Sequence, residues 1–333
     1  MHLKEKLFVL ACTSYALQMT PAQSEEVLSH FYTPAVTAET APWFTGPLLA
    51  PAVHTVPAGH VDIEPYLTFT GITGAYNDHW NAESFPNFYS LNLQPLIWVG
   101  LTSFLDVNIG PQLIYQFTQG ERSTQFGDIA LGIDLQLLNE QEDTWWPAIK
   151  VSLQANAPTG KFKNLDASKL GTDGAGSGNW QPGATLAMGR LFQISKEHFL
   201  SPRFIFTYTV PNALRIQNES VFGGVKGTEG TVYPGNNFYL DLGLEYNLAR
   251  NWSLALDLRY QHWNKLRFSG KTGSVDGIPA IIKRPSAELF TIAPALEYNW
   301  SSNIGLIGGA WFSVAGRNSA RFVTGMLAFN VYI

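Results

Sequence analysis

Leu91-Asn92-Leu93-Gln94-Pro95-Leu96-Ile97-Trp98-Val99-Gly100-Leu101 decides how this chain is read. Leu91, Leu93, Ile97, Val99 and Leu101 share one face, while Asn92 and Gln94 share the other. Successive side chains of a strand point to opposite faces, so a period of two marks a strand. After Thr102-Ser103 the pattern restarts and runs through Leu105–Phe117, and it recurs to give twelve expected strands from His60 onward. The connections between them alternate in length. Brief turns fall near Thr102, Glu140 to Thr144, Ser195 to Glu197, Arg250 and Ser301; long loops fall at 71–89, 118–126, 157–179, 211–236 and 263–287, with a tight last one near Gly316. A soluble sandwich has no reason to sort its turns by length at its two ends. A barrel across an outer membrane does, because one rim faces the periplasm and the other the outside. The expected fold is therefore all-β: a transmembrane, antiparallel, up-and-down β-barrel spanning 60–333, with both barrel ends in the periplasm.

Composition supports this reading. Charged residues make up only 14% of the chain and aromatic residues 13%, which is low in charge for a soluble domain. Yet no stretch reaches the roughly 18 apolar residues that a membrane helix needs, whereas a tilted strand crosses in about 9–11. The N-terminus supplies an address. Met1 to Lys6 is a short basic segment, Leu7 to Leu17 is apolar, and Ala22-Gln23-Ser24 places small residues where a signal peptidase cuts. The expectation is a signal peptide at 1–24. Its removal shifts the formal charge from −5 to about −6, too acidic for a nucleic-acid binder. The single cysteine, Cys12, lies inside that segment, so the remaining chain has no disulfide or thiolate-metal framework.

Residues 25–59 form a separate Pro-rich arm. Pro34, Pro42, Pro47, Pro51 and Pro57 recur without apolar periodicity, and Phe31, Tyr32, Trp43 and Phe44 are too many aromatics for a free linker. The arm either packs in the barrel as a plug, covers the periplasmic mouth or lies along the rim.

If the apolar faces meet lipid, the lumen receives Asp106, Asp128, Asp134, Lys150, Arg203, Asp241, Glu245, Asp257, Arg259 and Glu297, together with Trp98, Tyr239 and Trp311. Inward charges at membrane depth mark either a solute path or a network that cross-links a narrow barrel. Aromatic walls with a few polar groups suit moderately apolar organic molecules better than bare ions. Counting back from the turn at Arg250, with Leu248 opposite Trp252, puts Asp241 opposite Arg259 on the inward face, within reach of an ion pair.

Gly127-Asp128-Ile129-Ala130-Leu131-Gly132 opening one strand, Ala157-Pro158-Thr159-Gly160-Lys161 ending the next, and Gly171 and Gly176-Ser177-Gly178 before another are glycine-and-proline punctuation. In these motifs the chain resembles the meta-pathway phenol-degradation family of outer-membrane proteins, regarded as transporters. The resemblance implies passage or binding of small organic compounds.

Two other classes compete. Outer-membrane phospholipases need a serine two residues from a histidine, and Tyr260-Gln261-His262-Trp263-Asn264 has none. No HExxH spacing occurs, and Pro158-Thr159-Gly160-Lys161 lacks the first glycine of a phosphate loop. A structural or adhesive barrel with a closed lumen would carry the same turn-rich loops. The reading adopted is a monomeric porin-like barrel in the outer membrane of a Gram-negative envelope, not an enzyme, carrying small, aromatic or apolar organic compounds. It needs no cofactor or metal. Its partners are outer-membrane lipid and lipopolysaccharide, the barrel-assembly machinery and a small-molecule substrate.

Overall fold

The period-two segments become twelve antiparallel strands, each paired with its neighbours in sequence. They are seen in a computed structural model that describes residues 42–141 and 144–333. β1 is Val61–Tyr76 and β2 Ala82–Thr102. β3 runs in two pieces, Leu105–Gly110 and Leu113–Thr118, and β4 likewise, Glu121–Phe126 and Ile129–Leu138. Then come β5 Ala148–Ala157, β6 Gln181–Gly189, β7 Phe199–Thr209, β8 Asn237–Ala249 and β9 Trp252–Trp263. β10 Ala287–Ser301, β11 Ile304–Arg317 and β12 Ser319–Tyr332 complete the set. β1 pairs along β2 on one side and β12 on the other, so the sheet closes. Closure leaves no unpaired edge, which is the condition for strands to span lipid.

The faces sort as the alternation requires. Leu67, Phe69, Leu93, Ile133, Leu153, Leu254, Leu296 and Val323 are exposed on the outside. Their inward neighbours, among them Thr68, Asn92, Asp134, Ser152, Ser253 and Thr324, are buried. An apolar belt of this size in water would be an aggregation surface; against hydrocarbon each large side chain recovers roughly 1.5–3 kcal/mol. At the short-turn end Phe104, Trp145, Trp146 and Trp300 are exposed, as an interfacial girdle would be. Trp98 and Phe199, which stand in the same sequence neighbourhood, point inward instead.

Two loops expected to be long are short. β1 and β2 stay paired as far as Tyr76↔Ala82, so the 71–89 connection shrinks to 77–81. The segment 118–126 is mostly strand, Thr118 pairing with Glu121 around Gln119 and Gly120 at φ 47° and 88°. Positive φ at both central residues suits a tight hairpin. The error has a physical source. Hydrophobic alternation ends where the lipid ends, but the backbone ladder continues into water on polar residues such as Glu121-Arg122-Ser123-Thr124. The loops at 158–180, 210–236 and 264–286 are long, and the latter two pair through Leu214–Gln217, Thr228–Tyr233 and Arg267–Thr272 into a small sheet of their own. The expected signal peptide, Cys12 and the first part of the arm lie outside the described residues.

Candidate functional site in the barrel lumen

Residues 42–59 run through the lumen at its short-turn half. At one end Trp43 N donates to Arg250 O (2.9 Å), and at the other Gly59 N donates to Gly100 O (3.0 Å). Between them Phe44, Leu48, Leu49, Ala50 and Val53 are buried. This strap has no regular structure, so its polar backbone groups need partners from the wall. The inward carboxylates supply them. Thr45 N donates to Glu297 (3.1 Å), Gly46 N to Glu245 (2.8 Å), Leu49 and Ala50 N to Asp257 (3.1 and 2.9 Å), and Val56 N to Asp106 (2.7 Å). Carbonyls are met by the opposite sign: Arg259 donates to Leu49 O (2.7 Å) and Lys150 to His54 O (3.3 Å). Hydrogen bonds to charged groups contribute about 1.5–3 kcal/mol each, and the contacts address main chain rather than side chain.

The expected ion pair is present. Asp241 is opposite Arg259, whose Nε donates to Asp241 Oδ2 at 2.7 Å, while its guanidinium lies 4.4 Å over the Tyr239 ring. At the turn itself Ala249, not Leu248, faces Trp252, because a bulge follows Asn247. Arg203 pairs with Glu245, and Lys150 stands 3.9 Å from Asp134. Gln136 and Asn299, outside the thirteen candidates, also hold the strap, through Thr55 N (2.9 Å) and Trp43 O (2.9 Å). Asn299 was legible in principle, two residues beyond Glu297 on the same face. The wall also makes room by omission: a Cβ on Gly100 would lie 1.8 Å from Pro57 O.

Asp128 does a different job. It sits in the Gly127-Asp128 break between the two pieces of β4 and accepts from Gly160 N (2.9 Å), Ser177 N (2.7 Å) and Ser177 Oγ (2.5 Å). These bonds draw the 158–180 loop inward, with Thr172 to Ser177 buried. Gly160 and Gly176 meet so closely that a Cβ on either would fall 2.5–2.6 Å from the other strand of the loop. Lys161 pairs with Asp173 across the same fold. The glycine-and-proline motifs of the sequence therefore converge on one latch. Replacing Asp128 with Ala should release it: a Cys placed at Thr172 is shielded in the parent and should label faster by on the order of tenfold or more, since opening follows local stability. Equal labelling rates in both backgrounds would remove the latch.

A cavity of about 100 Å³ lies beside the strap, lined by Pro51, Leu96, Trp98, Asp134, Tyr239, Trp263 and a set of amides. Its cause is residue size. One ladder row reads Asn108, Gly132, Gln154, Gly183, Thr209, Asn237, Trp263 across seven strands, and the next reads Asp134, Ser152, Thr185, Thr207, Tyr239, Gln261. Small side chains on β4 to β7 leave the space empty. The opposite half is filled by Ile72, Tyr76, Phe88, Trp311, Phe322 and Met326, with Trp311 edge-on to Phe322 at 4.7 Å. The open volume is thus off-centre. All thirteen candidate residues are buried, but they do not form one site: Asp106, Lys150, Arg203, Asp241, Glu245, Asp257, Arg259 and Glu297 belong to the strap and its supports, Asp128 to the loop, Trp311 to the packed half, and Trp98, Asp134 and Tyr239 to the cavity.

The family model described as "MetA-pathway of phenol degradation" matches residues 58–329. The chain belongs to that family. The family match begins where the strap ends. No curated protein matches the sequence. In fold, the chain is similar to an outer membrane channel from Pseudomonas putida F1, at 14% identity and TM-score 0.64 over 84% of this chain and 98% of that one. The transport unit of the autotransporter AIDA-I from Escherichia coli is a looser likeness, at 12% identity and TM-score 0.42 over 96% of this chain and 98% of that one. With its closed barrel and apolar outer belt, this member of the phenol-degradation family is a protein of the cell outer membrane.

Proposed function

We propose that this phenol-degradation family member gives small organic compounds passage across the outer membrane, along the off-centre cavity rather than the barrel axis. The carrying observation is the cavity itself, an internal space with aromatic and amide walls that the strap borders at Pro51. A barrel built only for adhesion gains nothing from an internal cavity of this kind. Trp98, Asp134 and Tyr239 line the path; the other ten candidates set its boundaries. Catalysis is not part of this reading: His262 stacks on Phe238 at 5.4 Å and lies 3.7 Å from Glu288, its two cross-strand neighbours. The reading retains a signal peptide at 1–24, insertion by the barrel-assembly machinery, and lipopolysaccharide around the long-loop rim.

Conductance in planar bilayers tests passage, as developed in the Discussion. Orientation has its own test. With the long loops outside, cysteines at Lys226 and Asp276, both exposed, should react with an impermeant maleimide in intact cells, whereas one at Ser302 should react only after the outer membrane is opened. The reverse pattern inverts the barrel.

A further inference from the structure

The lipid-facing side of the wall carries a second feature, at the long-loop rim. There one ladder row reads Val323, Gly71, Tyr89, Phe117, Arg122 across β12 and β1 to β4. Tyr89 lies over Gly71, where a Cβ would stand 3.3 Å from its ring, and its ring stacks with Phe69 at 5.9 Å and Phe117 at 4.9 Å. Arg122 closes the row, exposed and directly opposite Phe117. Arg321 stands on β12 two residues nearer the rim than Val323, half-buried, with uncharged row partners Gly74 and Ser84. Neither arginine forms an ion pair with another described residue. The next row down, Gly325, Phe69, Leu91, Tyr115, Thr124, is uncharged too.

An arginine at the edge of the hydrocarbon keeps its head among polar groups while its stem lies on apolar surface. Its planar fork takes a phosphate through two hydrogen bonds, and aromatic rings at this depth pack against sugars and the first carbons of acyl chains. The loops above have the same sign of charge. Segments 158–180, 210–236 and 264–286 hold ten Lys and Arg against five Asp and Glu, in a chain whose formal net charge is −5, so the rim attracts polyanions. Resting on the outward orientation of the long loops, we infer that this patch is a docking site for lipopolysaccharide, the phosphorylated and acylated glycolipid of the outer leaflet. Arg122 and Arg321 each hold one phosphate of its headgroup, and Tyr89 and Phe117 pack against the sugar and the start of the acyl chains. The two arginines are four strand spacings apart, roughly 19 Å, which their extended side chains narrow to the span of a disaccharide phosphorylated at both ends.

Three lipids separate the alternatives: hexa-acylated lipid A with two phosphates, its monophosphorylated form and phosphatidylglycerol, each titrated into the full-length protein in detergent and counted as bound adducts by native mass spectrometry. The parent should bind bisphosphorylated lipid A on the order of tenfold more tightly than phosphatidylglycerol, with the monophosphorylated form between them. Arg122→Glu with Arg321→Glu should remove that preference, Arg122→Lys with Arg321→Lys should keep part of it, and Lys196→Glu, an exposed position at the opposite rim, should leave it intact. Heat-modifiable migration checks that each variant is a folded barrel. Phosphatidylglycerol bound as tightly as lipid A overturns the inference, as does a glutamate pair that keeps the preference or a Lys196→Glu variant that loses it. The titration does not depend on the direction of insertion, so its failure sinks the site alone. Labelling in intact cells at a cysteine replacing Ser302, and not at one replacing Lys226, sinks the orientation and the partner with it.

Discussion

Removing residues 42–56 from the full chain is expected to convert a closed barrel into a steadily conducting one, with bilayer conductance rising severalfold and the barrel intact. The wall should survive because the strap contributes hydrogen bonds, not sheet. Each carboxylate that loses a strap N–H, such as Asp257 facing Leu49 and Ala50, gains water that the vacated lumen admits, so no charge is left buried without a partner. Strand pairing, from β1 against β12 round to β2, does not involve these residues. Heat-modifiable migration on gels and β-type circular dichroism would confirm that the barrel persists. Unchanged conductance in an intact barrel would mean that the strap does not close the path. Adding Asp128→Ala then asks whether the 158–180 loop alone is the barrier; if the double change also stays closed, the cavity leads nowhere and the transport reading fails with it.

The second large effect is expected at Arg259. Its guanidinium donates from Nε to Asp241 and from Nη2 to the Leu49 carbonyl, two partners in different directions. Arg259→Ala leaves Asp241 buried without its cation and frees the strap carbonyl, and removal of one partner from a buried pair costs about 3–5 kcal/mol. Urea unfolding in detergent should show the loss. Arg259→Lys should recover less than half of it, because a single ammonium does not reproduce the planar fork that reaches both acceptors. Because strap and pair are coupled, the alanine variant should also conduct more than the parent. A stability within about 1 kcal/mol of the parent, well under the loss expected for a buried pair, would show that Asp241 finds another partner or water.

Much of this was legible because a barrel wall is a local code. Once Leu91 to Leu101 is read with period two, every second residue is assigned to lipid or lumen, and all thirteen residues assigned inward are buried. The Asp241 to Arg259 register could be counted from one turn because antiparallel neighbours advance in step: the assumed first pair, Leu248 with Trp252, is displaced by the bulge after Asn247 but is in phase with the register beyond it. What the alternation could not convey was where strands end in water. Glu121 to Gln125 carries no apolar residue of its own to mark a face, yet it is paired throughout.

The sequence by itself indicated about twelve strands, the facing of the wall and the membrane setting, since each follows from side-chain alternation over a few residues and from turn length. The family motifs were visible too, but only as spacing. Only the tertiary structure decided what the inward charges are for. Asp106, Glu245, Asp257 and Glu297 lie up to 252 residues from the strap atoms they hold, and Asp128 meets Ser177 across 49. No periodicity links positions so far apart; hydrogen bonds between them exist only after closure brings the far wall, the strap and the loop into one enclosed space. The same holds for the cavity, which arises because rows of small residues from separate strands come to lie side by side.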